Sequence, residues 1–137
     1  MKGLKSLIRL HKWELEEERK VLAKLLAERQ NLTNRIQSLR DEMATERRNA
    51  NNLHWYFSYP PYADVMNDRI EAWNASLFEL DDRVSEAEER VSNAFKEMRK
   101  FEIALENQLE LERQEAERRD QIVLDEIALN AHRRKAG

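Results

Sequence analysis

The chain has no cysteine, two glycines and two prolines in its 137 residues. Without cysteine there is no disulfide framework and no thiolate chemistry, which fits a reducing compartment. The glycines are Gly3 and Gly137, and the prolines stand together as Pro60 and Pro61. Residues that ordinarily punctuate loops are therefore missing from nearly the whole length, and the chain has essentially one place to turn. Aromatic residues make up only 7%, so a thick core, and an enclosed small-molecule pocket within it, is not expected. No apolar run is long enough to span a bilayer. The basic opening lacks the apolar h-region and small-residue cleavage site of a signal peptide. A net charge of −3 gives no general affinity for nucleic acid. These absences point to a cytoplasmic protein with at most peripheral membrane association.

What is present is charge and period. Charged residues make up 37% of the chain and apolar residues 41%, the balance of a long helix or coiled coil. From Leu4 to Phe57, alternating steps of four and three fall on apolar residues, interrupted only at His11, Glu18, Arg29 and Glu46. A second run passes through Met66, Ile70, Trp73, Leu77, Leu80, Val84, Ala87, Val91, Ala94, Met98, Phe101 and Leu105, all apolar. Two heptad seams in one chain predict an all-α fold, a long two-helix antiparallel coiled-coil hairpin. Burial of each large seam side chain contributes about 1.5–3 kcal/mol before chain entropy is deducted.

The hinge is expected at His54–Tyr62, which holds both prolines and half of the aromatic residues. Proline lacks a backbone N–H and pushes the residue before it out of helical geometry. Asn49, Asn51 and Asn52 are plausible terminators of the first helix. The expected bounds are a single hairpin over 1–137, with helix 1 over about 2–54, a turn over 55–62 and helix 2 over about 63–134. A fold at Tyr59–Pro60 sets Leu39 across from Leu80, Leu25 from Ala94 and Leu22 from Met98. In that register His11 faces Gln108, Ile8 faces Glu112 and Leu4 faces Glu115. Everything after about Ala116 then has no facing partner. Apolar residues nonetheless return in Ile122–Leu124 and Ile127–Leu129, so a C-terminal helical overhang with an apolar patch is predicted.

Other motifs are weighed against plainer roles. The tip aromatics Trp55, Tyr56 and Tyr59 are either a contact surface or a plug for the end of the coil. Lys2, Lys5, Arg9 and Lys12 among Leu4, Leu7, Ile8, Leu10 and Trp13 make a basic amphipathic helix, suited to a partner helix or a membrane surface. His11, His54 and His132 are not brought together by the hairpin, so no metal site is expected. The many glutamates have no concavity to tune them for acid–base work. No catalytic residue and no cofactor are expected, and the protein reads as a non-enzyme.

The basic, leucine-rich opening Leu4–Lys12 leads straight into Glu14-Leu15-Glu16-Glu17-Glu18. The other end carries Glu117-Arg118-Arg119-Asp120-Gln121, then Leu124-Asp125-Glu126-Ile127-Ala128 and Arg133-Arg134. Together these resemble the flagellar type III export protein FliJ family and its YscO-like relatives in virulence secretion. The resemblance implies an antiparallel coiled coil similar to the stalk of rotary ATPases. Its open end would sit in a hexameric export ATPase, and its turn side would meet an export gate membrane protein and export chaperones. Leu4, Leu7, Ile8, Ile122, Leu124, Asp125, Ile127, Leu129 and Arg133 thereby become candidates for the ATPase-ring contact. Trp55, Tyr56, Tyr59 and Trp73 become candidates for the gate or chaperone contact. The location implied is the cytoplasm, at the inner face of the membrane. Two other classes remain open at this point: a structural coiled coil that self-associates through the overhang, and a peripheral membrane protein using the basic N-terminal helix.

Overall fold

The structure, a computed structural model, describes residues 2–49 and 53–136, and the side chains among them except those of Lys2 and residues 53–58. It holds two helices, α1 over Lys2–Asn49 and α2 over Leu53–Ala136. They pack against each other as an all-α two-helix hairpin. α1 is described as far as Asn49, and Ala50, Asn51 and Asn52, two of them expected terminators, lie outside the described residues.

The expected turn over 55–62 is replaced by helix. α2 is helical from Leu53, and Pro60 and Pro61 lie inside it. Proline's fixed φ is close to the helical value, although inside a helix its ring also crowds the carbonyl four residues back. The loss is local: the carbonyls of Tyr56 and Phe57 have no N–H to accept four residues on. Against that loss stands burial along α2, with Tyr59, Tyr62, Ala63 and Met66 all partly covered.

The chain groups into two compact units, 14–94 and 1–13 with 95–137. In the first, Ile36, Leu39 and Ile70 are buried together, with Leu32, Met43, Met66, Trp73 and Leu77 packed on them. Leu15, Leu80, Val84 and Ala87 are also buried in this unit. Among the described side chains of this unit, the seam positions read from the sequence are covered, with Arg29 an exposed exception.

The register differs from the expected one. Leu39 shares a cluster with Ile70 rather than standing across from Leu80, a displacement of about ten residues, or ~15 Å of helix. Two ion pairs mark the same alignment: Arg29 Nε lies 2.8 Å from Asp81 Oδ1, and Arg90 Nε lies 3.3 Å from Glu18 Oε2. The earlier hinge would have set the seam arginine Arg29 opposite Arg90. Moving the start of the return helix toward Leu53 replaces that repulsion with two salt bridges. Both registers match seam to seam, because a heptad pattern superimposes on itself after translation.

In the second unit, Ile8 and Met98 are buried. The His11 imidazole stacks on Phe101, with ring centroids 4.7 Å apart and 17° between the planes. Lys100 Nζ stands 6.0 Å from the centre of the same ring. The expectation that Leu4, Ile8 and His11 face glutamates and glutamine is therefore corrected: Ile8 is buried, Leu4 and His11 are half-buried, and coverage on α2 ends at Gln108.

Candidate functional site

Past Gln108, every residue from Leu109 to Ala136 is exposed. This stretch keeps its helix without tertiary contacts. Glutamate, arginine, glutamine and alanine, all good helix formers, dominate it. Arg113 bridges Glu110 at 2.6 Å and also pairs with Glu117. Arg119 pairs with Glu115 at 3.5 Å. These are i,i+3 and i,i+4 contacts, each worth a few tenths of a kcal/mol to an exposed helix. Donation from Arg113 holds the Glu110 carboxyl below its ordinary range, and the two glutamates hold the Arg113 guanidinium above its own. Arg133, Arg134 and Lys135 occupy the last turn, where positive charge complements the helix dipole.

Between the charged belt and the basic end lies the apolar segment. Ile122 and Leu129 are about half exposed, Leu124 and Ile127 nearer three-fifths. At 3.6 residues per turn this segment presents two faces. Ile122 and Leu129 continue the coiled-coil seam, while Val123, Leu124 and Ile127 lie on another side. Asp125 accepts a hydrogen bond from the Gln121 amide at 3.0 Å, and Arg133 is exposed. A solvated helix has no use for five large apolar side chains within eight residues, which makes the segment a candidate contact surface.

The N-terminal candidates are placed differently. Leu7 is exposed, whereas Leu4 is half-buried and Ile8 is buried. About 25 Å of helix separates Leu105, the last large seam residue, from Ile122. The two groups of candidates therefore do not form one patch. Leu10 and Trp13, which the expected contact omitted, are 49% and 62% exposed, beside Arg9 and Lys12.

At the other set of candidates, Tyr59 is half-buried and its ring lies 6.1 Å from that of Tyr62. Trp73 packs on the Ile36–Leu39–Ile70 cluster, so it is a seam residue first. The side chains of Trp55 and Tyr56 lie outside the described residues. An open groove of about 780 Å³ beside Tyr59 is lined by Arg40, Arg47, Arg48 and Asn67. Sequence reasoning missed the setting of Tyr62. Burial, then the carboxylates of Glu42 and Glu46, push its ionisation above the ordinary tyrosine value of 10.0.

Among the described residues, no three of His, Cys, Asp and Glu stand close enough to hold a metal ion. Among the same residues, no helix is long and apolar enough to cross a membrane. No curated protein and no solved structure matches the chain. A family model does, and over the whole of it: residues 1–137 match the model described as "Flagellar FliJ protein". With two packed helices and an exposed apolar end to set beside that match, the chain belongs to the flagellar FliJ protein family.

Proposed function

We propose that this chain is a non-enzymatic stalk and adaptor of the flagellar type III protein export apparatus. Its unpaired end, residues 109–136, docks in the ring of a hexameric export ATPase at the cytoplasmic face of the membrane. The turn side of the hairpin, with Trp55, Tyr56 and Tyr59, meets the export gate and export chaperones. Membership of the family supports a role in flagellar export. The observation that carries the finer reading is the exposure of Ile122, Leu124, Ile127 and Leu129 on a helix with no partner of its own. Side chains of that kind gain about 25 cal/mol per Å² when a partner removes them from water. Arg133 and its basic neighbours suit an acidic rim.

Ile8 enters this reading as a support rather than a contact. Buried in the seam, it holds α1 against α2 and leaves exposed Leu7 to touch a partner. The test is a chain ending at Gln121. It is expected to keep the melting temperature of the hairpin and to lose stimulation of the cognate export ATPase. The double substitution Trp55→Ala, Tyr56→Ala is expected to keep that stimulation. Normal stimulation by the truncated chain, with loss in the tip variant, would reverse the assigned polarity.

A further inference from the structure

The overhang carries a second pattern, on the face away from the continued seam. Asp120, Val123, Ile127, Ala131 and Arg134 follow one another at spacings of three, four, four and three residues. At 3.6 residues per turn these five fall within about a quarter of the helix circumference. The spacing reads the same in both directions from Ile127, while the charge does not: the acid is at one end and the base at the other. Among the described residues, Asp120, Arg134 and Lys135 take part in no ion pair, whereas Glu110, Arg113, Glu115, Glu117 and Arg119 in the belt before them are paired with one another.

We propose that two copies of this chain pair through their overhangs, antiparallel, about a two-fold axis at Ile127. That arrangement sets Ile127 against Ile127 and Val123 against the partner's Ala131. It brings Asp120 of each helix to the partner's Arg134. A parallel pair would instead place Asp120 beside Asp120 and Arg134 beside Arg134, so charge selects the antiparallel form. The surface is self-complementary, as a two-fold interface requires. The contact covers about 22 Å of helix, short of what a permanent dimer buries, so the pairing is weak and reversible. Its role rests on the ring-docking reading above. Pairing covers Ile127, which docking also needs, so the paired form competes with docking until a ring displaces the second copy.

The test uses the full chain, whose lack of cysteine makes single cysteines unambiguous. Sedimentation equilibrium is expected to show a monomer–dimer equilibrium that is lost in the chain ending at Gln121. Asp120→Arg or Arg134→Asp alone is expected to weaken the dimer about tenfold, and the two together to restore it. Under mild oxidation Ile127→Cys is expected to link to itself, and Val123→Cys to link to Ala131→Cys in a mixture. A monomer at every concentration overturns the proposal, as does a dimer that survives the truncation. Preferential linking of Val123→Cys to itself overturns the antiparallel form. If the dimer holds while the truncated chain still stimulates the ATPase, only the ring reading fails. If the chain is monomeric while truncation abolishes stimulation, only the pairing fails.

Discussion

His11 lies flat against Phe101, 4.7 Å from ring centre to ring centre. A polar interruption in the apolar seam of α1 is thereby accommodated by an aromatic seam residue of α2. Stacked aromatic pairs contribute about 0.5–1.5 kcal/mol beyond the area they bury. The pair also fixes the alignment of the two strands in the unit that contains both.

Alignment is directly testable within the unit of 14–94. With cysteines introduced at Leu39 and Ile70, a short bismaleimide is expected to close a link within one chain in dilute solution. The pair Leu39 and Leu80, about ten residues and ~15 Å out of step, is expected to stay open. The opposite result would restore the register read from the hinge residues.

Both heptad seams were legible from the sequence, because apolar residues at steps of three and four mark the buried face whatever lies opposite. The register was not, because sliding one seam along the other by whole turns leaves apolar facing apolar. The information that breaks the tie sits at the seam's polar interruptions. Glu18 and Arg29 need Arg90 and Asp81, and only the observed alignment supplies them. The overhang was legible as an unmatched stretch, though its start at Leu109 rather than past Ala116 follows from the register. The turn was misplaced because proline's lost hydrogen bond was weighed without its helical φ.

Seam burial sets the cost of truncation. Leu39→Ala is expected to destabilise the hairpin by about 2–5 kcal/mol, and Leu111→Ala, on the exposed overhang, by less than about 0.5 kcal/mol. Arg29→Ala is expected to fall below about 1 kcal/mol, since both partners of its ion pair are nearly half exposed and screened by water. Denaturant unfolding of the three variants checks the order.

The prolines inside α2 give a prediction of opposite sign. A proline in a helix interior is about 3 kcal/mol less favourable than alanine. Pro60→Ala and Pro61→Ala are therefore each expected to raise stability by roughly 1–3 kcal/mol and to raise the melting temperature. A lowered melting temperature would show that the prolines serve as a helix start instead.

Tyr62 predicts an alkaline limit. Its folded ionisation lies above the ordinary tyrosine value of 10.0, through desolvation first and the Glu42 and Glu46 carboxylates second. Above that value the unfolded chain loses the proton while the folded chain keeps it. Stability is thus full below the ordinary tyrosine range and falls as pH rises through the folded value. Phenolate absorbance is expected to show one tyrosine titrating late in the wild type, and earlier in Glu42→Gln and Glu46→Gln. Coincident titration of all variants would remove Glu42 and Glu46 as causes.

The exposed helix from Leu109 to Ala136 has a kinetic consequence. An isolated helix must form a costly first turn before it can grow, but this one grows from a turn already fixed at Met98 and Phe101. It has no nucleation barrier, and the place of growth is set. Melting therefore runs inward from the basic end as a graded zipper rather than as an all-or-none event. Hydrogen exchange along it should rise smoothly toward Ala136, and the length of ordered helix offered to any partner becomes a continuous quantity, set by temperature and salt.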